Sequence, residues 1–362
     1  MKVALVYDRV NKLGGAERVL LALHSLFPSA PLFTSVYSPE HATWAKVFSV
    51  KTSFLQKFPF ARRKHEVFPL LMPLAFESFT FDDYDLVISI TSEAAKGIIT
   101  HGKTKHICYC LTPTRYLWSG YDFYFKSKSM RALAAPAITY LRHWDRIAAQ
   151  RPDVFIAISK EVQQRIKKYY HRDAEIIYPP LFLQSEKKSF KKISGQPFLL
   201  IVSRLVPYKR IDLAIKACNH LHLPLRIIGS GSEWSKLRNI AGPTITFLGN
   251  LTDEEVITYY KNCSGLIFPG QEDFGLTIVE AQHYGKPVLA FNAGGAREIV
   301  LEGKTGMFFH EQTVQSLMHA LDKFTHFRYN EEDCKKQAEK FKLATFQSQL
   351  TQLVERIMKQ KI

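Results

Sequence analysis

Short apolar runs alternate along the 362-residue chain with stretches whose apolar positions recur every three to four residues. This is the pattern of parallel strands joined by crossover helices. It occurs twice. In the first half the runs predict strands near Val3 to Tyr7, Leu86 to Ile90, Lys105 to Cys110, Val154 to Ile158 and Ile176 to Tyr178. The periodicity of Ser159 to Tyr170 predicts a helix capped by its serine. From Pro179 to Gln196, two prolines, charged residues and a Ser-Gly pair break the periodicity and read as a connector. A second set of strands is predicted at Phe198 to Ser203, Leu225 to Gly229, Ile245 to Leu248, Gly265 to Phe268 and Pro287 to Phe291, and the tail from about Phe346 reads as helical. The fold class is therefore α/β, with domains over 1–181 and 197–345, a linker at 182–196 and a terminal helix at 346–362. Length agrees, because a single core stops growing at roughly 250 to 300 residues. No internal repeat or low-complexity tract is evident.

Charge changes this picture through its placement. Of the net charge of +16, residues 1–200 carry +13, with 29 Lys and Arg against 16 Asp and Glu. Basic clusters stand at Arg62, Arg63 and Lys64, at Lys126 and Lys128, and at Lys187, Lys188, Lys191 and Lys192. They suit an anionic membrane surface or plain solvation. Phe54, Leu55, Phe58, Phe60 and Phe68 interleave the first cluster in the manner of an interfacial surface. No zinc-finger spacing or aromatic RNA-binding signature accompanies them, which argues against nucleic acid. The chain holds no run of about 18 uncharged apolar residues and opens directly on strand-like KVALVYD, so a cytoplasmic location is expected, and the basic N-terminal half suits peripheral contact with the inner face of the plasma membrane. Five scattered cysteines predict reduced thiols, and no Cys or His spacing marks a metal.

The chemistry concentrates in EDFGLTIVE, Glu272 to Glu280. Glu272 falls in the loop after a predicted strand, and Glu280 lies one to two turns into the helix that follows. At the carboxyl ends of strands in doubly wound sheets, an acid can grip a ribose and helix N-termini offer N–H groups to phosphate. SRLVPYKRID, Ser203 to Asp212, puts Arg204 and Lys209 after another strand, where cations can neutralise a diphosphate. GSGSE, beginning at Gly229, and GGAER, beginning at Gly14 and Gly15, are glycine turns that open helices and permit close approach to an anion. Exposed surface loops are the alternative for each taken singly.

The order of GGAER, SRLVPYKRID, GSGSE, EDFGLTIVE and AGGAREIV resembles the retaining glycosyltransferases of family 4. CYCLTPTRYLW, FIAISKEVQQRIKKYY and IIYPP are similar to the mannosyltransferase-type branch that builds bacterial surface polysaccharides. The resemblance covers nearly the whole chain. It implies a GT-B fold of two Rossmann-like domains facing a cleft, the acceptor on the N-terminal domain and the sugar nucleotide on the C-terminal one, with the terminal helix crossing back. It implies that Arg204 and Lys209 bind the donor diphosphate, Glu272 the transferred sugar and Glu280 the ribose. Phe274, Gly275 and Leu276 match the turn that approaches the donor, and Gly14 and Gly15 the glycine loop. No cofactor or metal is implied beyond the sugar-nucleotide co-substrate, GDP-mannose first. The implied acceptor is a glycan or lipid-linked oligosaccharide.

One departure stands at Leu111, Thr112, Pro113, where the family reads HTP, and another at Glu93, where the branch has histidine. Glu93, Leu111, Thr112 and Arg115 are thus the acceptor or donor-sugar region. A catalytically silent sugar-nucleotide-binding protein is the alternative that Leu111 keeps open. A Rossmann oxidoreductase would want GxGxxG after the first strand with an acid about 20 residues on, and GGAER does not supply it.

Overall fold

The computed structural model describes residues 1–62, 65–181 and 192–359. Arg63, Lys64, Lys187, Lys188, Lys191, most of the 182–196 connector and the last three residues of the tail lie outside them. The chain divides into two units, Met1–Pro180 with Leu343–Ile362, and Leu181–Lys342.

The first unit is built on a seven-stranded parallel sheet. Its strands are β1 (Val3–Tyr7), β2 (Leu32–Thr34), β3 (Val50–Thr52), β4 (Leu86–Thr91), β5 (Lys105–Cys110), β6 (Val154–Ala157) and β7 (Ala174–Ile176), in the order β3-β2-β1-β4-β5-β6-β7. β1 and β4 are buried throughout, as strands covered on both faces by helices must be. The run at Ile176 to Tyr178 begins two residues earlier than the sequence reading placed it. β2 and β3 escaped that reading because three residues are too few to show a period. Ser159 caps the helix Lys160–Tyr170 by accepting from the Val162 N–H at 3.1 Å. Val162, Ile166 and Tyr170, four residues apart, form its buried face. The terminal helix Leu343–Lys359 packs in this unit, with Phe346 5.9 Å from the Tyr109 ring and Gln347 donating to Ser25 Oγ at 2.9 Å.

The second unit carries a six-stranded parallel sheet: β8 (Leu199–Val202), β9 (Leu225–Ile228), β10 (Ile245–Gly249), β11 (Gly265–Phe268), β12 (Val288–Phe291) and β13 (Gly306–Phe309), ordered β10-β9-β8-β11-β12-β13. Leu199, Ile201, Ile215, Ile227, Leu289 and Leu321 belong to its main core. Both sheets are doubly wound, reversing direction between β1 and β4 in the first and between β8 and β11 in the second. All five cysteines are free and buried.

One buried base predicts an acid sensitivity. His106 on β5 lies with Nε2 2.8 Å from Ser89 Oγ, and its Nδ1 has no hydrogen-bond partner. Burial, aided by the charges of Arg151 and Arg172, lowers its pKa from 6.5 to about 3. Below pH 6.5 the unfolded chain therefore binds a proton that the folded chain refuses. The stability contribution is complete above that pH and is lost as pH falls toward 3. Between pH 7.5 and 5 the loss is about 2 kcal/mol. Urea unfolding at the two pH values should show a smaller difference for His106→Gln than for the parent; equal differences would remove His106 as the cause.

Candidate functional site

The crevice of the C-terminal unit follows from its strand order. β8 and β11 are neighbours, but their crossovers leave to opposite sides, so the loops after them part at the carboxyl end of the sheet. After β8, the turn Pro207–Lys209 leads through Arg210, in the left-handed region at φ 52°, into the helix Ile211–His220. After β11, a loop carrying Glu272 leads to the helix Leu276–His283. The two loops meet in an ion pair between Lys209 Nζ and Glu272 Oε1, the lysine nearly buried and the carboxylate about a quarter exposed. Arg204 Nη2 donates to Tyr208 Oη at 2.6 Å, and Lys209 Nζ sits 5.2 Å from the centre of the Tyr208 ring. Arg204, Tyr208, Lys209 and Glu272 are thus one cluster, with two cations and one carboxylate. Its surplus is positive, which suits a phosphate-bearing ligand.

The helix beyond this loop is aimed by Gly275, whose φ of 110° sets the left-handed turn at the N-cap. A side chain there would be strained, and its Cβ would come within 3.0 Å of Ile278 and 3.2 Å of Phe268. Glu280 is buried and accepts from Tyr260 Oη at 2.8 Å. Phe274 is a core residue, its ring edge-on to Phe341 at 5.5 Å, and Leu276 is half-buried. Behind the loop, the Gly295 N–H donates to the Glu272 carbonyl at 3.0 Å. A Cβ on Gly295 would lie 2.3 Å from Phe274 Cα. The glycine pair of AGGAREIV therefore braces the backbone that presents Glu272. The sequence reading gave those glycines no role. Gly229 does similar work beside Arg204, since its Cβ would lie 1.9 Å from the Ser203 carbonyl.

The remaining predicted residues belong to the other unit. At the reversal between β1 and β4, Asp8 is buried and accepts from Thr91 Oγ1 at 2.9 Å and from the N–H groups of Ser92, Glu93, Ala94 and Ala95 at 2.7 to 3.1 Å. Asp8 thereby fixes the loop that carries Glu93. Glu93 pairs with Arg9 at 2.7 Å. Burial raises the Glu93 carboxyl, and Arg9 works against that rise. The same pair keeps Arg9 charged: burial pulls its pKa down, and Glu93, Tyr7 and Asp8 more than restore it. Leu111 is half-buried and donates its N–H to Thr91 O at 2.8 Å; Thr112 is buried, 3.3 Å from Arg165 Nη1; Arg115 is half-buried. Gly14 and Gly15 are exposed at the N-terminus of the helix Gly15–Leu26. From that first turn Glu17 turns inward and accepts from Tyr7 Oη at 2.7 Å.

Below this loop lies a buried network that the sequence reading missed. Asp145 accepts from Lys96 Nζ at 2.5 Å, Thr114 Oγ1 at 3.1 Å, Trp118 Nε1 at 2.7 Å and Tyr170 Oη at 2.8 Å. An Asp inside a helix and a lone Lys carry no local signal of pairing, since 49 residues separate them. Of the five interleaved apolar residues, Leu55 is core and Phe68 is partly buried against that core, whereas Phe54, Phe58 and Phe60 are exposed. Leu55 therefore takes no part in the surface assigned to it from sequence.

Comparison with known proteins agrees with this architecture. The whole chain superposes on Anabaena HepE in complex with UDP at a TM-score of 0.71 and 19% identity, covering 98% of this chain and 100% of that one. The fold is that of the GT-B glycosyltransferases. Residues 184–341 match the family described as Glycosyl transferases group 1, so the C-terminal unit carries the sequence signature of that group. O-antigen chain mannosyltransferase C of Escherichia coli is 25% identical over 222 residues, which are 56% of this chain and 58% of the relative. The GDP-mannose-dependent alpha-mannosyltransferase of Mycolicibacterium smegmatis is 36% identical over 115 residues, 31% of this chain and 30% of the relative. The chain spans about half the length of the first curated relatives it matches.

Proposed function

We propose that the protein is a retaining, metal-independent glycosyltransferase that moves a hexose from a sugar nucleotide to a glycan or lipid-linked oligosaccharide in surface polysaccharide synthesis. The observation that carries this reading is the Arg204, Tyr208, Lys209 and Glu272 cluster at the carboxyl ends of β8 and β11. The relatives favour mannose from GDP-mannose as first donor; the UDP bound to Anabaena HepE makes UDP-hexoses the next. In this reading the donor diphosphate draws Lys209 from Glu272 and meets Arg204. Glu272 is then released to accept from hydroxyls of the sugar. Glu280, oriented by Tyr260, takes the ribose hydroxyls. The anomeric C–O bond to phosphate breaks toward an oxocarbenium-like state while the two cations stabilise the charge growing on the diphosphate. The acceptor oxygen bonds to the anomeric carbon from the same face, and its proton passes to the departing phosphate oxygen. The acceptor side is assigned to the N-terminal unit around Glu93, Leu111, Thr112 and Arg115, at the cytoplasmic face of an anionic membrane.

The test is a binding and hydrolysis screen in EDTA with GDP-mannose, UDP-glucose, UDP-galactose and dTDP-rhamnose, beside an Arg204→Ala control. One donor is expected to bind in an Arg204-dependent way and to release nucleotide slowly, with no change on adding magnesium. Absence of binding to every donor would overturn the reading. Leu111, in place of the family histidine, supports a second reading as a silent binding protein. Donor binding without turnover, both before and after Leu111→His, would establish that one instead.

A further inference from the structure

The helix Lys128–Ala148 is packed along only half its length. Its buried residues, Ile138, Leu141, Asp145 and Ala148, all lie in the second half, and positions 128 to 137 bury none. At 100° per residue, Met130, Leu133, Tyr140 and Ile147 fall on one flank. They are 49%, 87%, 50% and 48% exposed, and Phe123 and Tyr124, just before the helix, are 42% and 51% exposed. Lys128, Arg131, Arg142 and Arg146 occupy the other flank, within about 60° of one another. On the exposed surface of this segment one acid, Asp122, stands against these cations, and it is paired with Arg131 at 2.9 Å. Water gives this arrangement little support. An unpacked helix of three turns is marginal there, and Pro136 removes one of its backbone hydrogen bonds. Apolar side chains on one flank and Lys and Arg on the other are the features of helices that lie in the plane of a membrane interface.

The same unit carries a second set of exposed apolar side chains, Phe58, Phe60, Val67, Leu70 and Leu74. The segment that carries it meets the helix at a small cavity lined by Pro69, Met72, Leu117 and Leu141, with Glu93 also in its lining. We infer that residues 121–147 form an interfacial docking element that enters the headgroup region of an anionic lipid leaflet. Phe123, Tyr124, Met130 and Leu133 go in, and Lys126, Lys128 and Arg146 stay at the level of the lipid phosphates. Charge decides between occupants: the cationic surplus opposes a second copy of this chain and complements an anionic leaflet. The inference rests on the lipid-linked-acceptor reading for its purpose, which is to bring Glu93 to the leaflet that holds the acceptor.

The experiment is flotation of the full chain with vesicles of phosphatidylcholine alone and of phosphatidylcholine with 30% phosphatidylglycerol, at low and at physiological salt. Leu133 is almost wholly exposed, so Leu133→Asp is expected to keep its melting temperature and to lose at least tenfold in binding to the anionic vesicles. Lys126→Glu with Lys128→Glu should weaken binding chiefly at low salt, where charge is least screened. Absence of binding to anionic vesicles overturns the inference, as does Leu133→Asp binding like the parent. A dimer in light scattering that Leu133→Asp dissolves, without vesicle binding, assigns the flank to self-association and overturns it too. Donor binding dependent on Arg204 is measured on the same preparations, so a failed docking surface is distinguished from a failed transferase.

Discussion

Replacing Lys209 with Ala is expected to lower kcat/KM for the accepted donor on the order of 10² to 10³-fold, the cost of removing one preorganised donor from a developing oxyanion. The ammonium is nearly buried against Glu272, so in the proposed donor complex its charge would act on the diphosphate with little screening by solvent. Glu272 itself stays about a quarter exposed and can be hydrated once its partner is gone, which keeps the expected change in melting temperature small. Lys209→Arg separates charge from fit. It restores a cation, but the planar guanidinium does not reproduce the point charge of the lysine beside Tyr208, so partial recovery is expected. The measurement is initial rate against donor concentration for parent, Lys209→Ala and Lys209→Arg, with circular dichroism melts as control. Lys209→Ala retaining more than a tenth of parental kcat/KM, with an intact melt, would remove Lys209 from the chemistry.

A second large effect is expected from the buried pair in the other unit. Asp145→Ala should destabilise it by about 3 to 5 kcal/mol, because it strands the Lys96 ammonium together with the donors of Thr114, Trp118 and Tyr170. Burial by itself would depress the Lys96 pKa; the Asp145 charge overcomes this and raises it. A lysine raised above its unfolded pKa of 10.5 contributes fully below that value and loses the contribution only at higher pH. The parent's contribution is therefore constant from pH 7 to pH 8.5, whereas in Asp145→Ala burial acts alone and lowers the Lys96 pKa, so the destabilisation should shrink as pH rises from 7 to 8.5. Replacing both members, Lys96→Met with Asp145→Leu, should cost less than the sum of the two single changes, since no charge is then left without its partner although the donors of Thr114, Trp118 and Tyr170 still are. Urea midpoints for the three variants decide the matter. A double variant as unstable as the sum of the singles would mean that the two side chains do not act as a pair.

Much of this architecture was legible in the residues themselves. Strands such as Leu86–Thr91 and Gly265–Phe268 are buried on both faces, and burial on both faces writes itself as an unbroken apolar run. The capping serine of Lys160–Tyr170 and the glycine turn before Leu276–His283 are local requirements of the backbone, so they too stand in the sequence. Three-residue strands such as Leu32–Thr34 carry too little pattern to be read, and a helix with Pro136 inside it contradicts its own local signals.

The sequence by itself determined which residues could bear charge and hydrogen bonds at strand ends: Arg204 and Lys209 after one strand, Glu272 and Glu280 after another. Only the tertiary structure decided their partners. Strand order set β8 beside β11 and thereby joined Lys209 to Glu272 across 63 residues of chain, while Glu280 turned to Tyr260. In the same way Asp8 gathered the backbone N–H groups of Ser92 to Ala95, and Asp145 gathered Lys96. The physical reason is common to all of these. Side-chain periodicity reports only how one element buries its own face, whereas a buried charge is satisfied by whichever group the topology brings within hydrogen-bonding distance, at any separation along the chain.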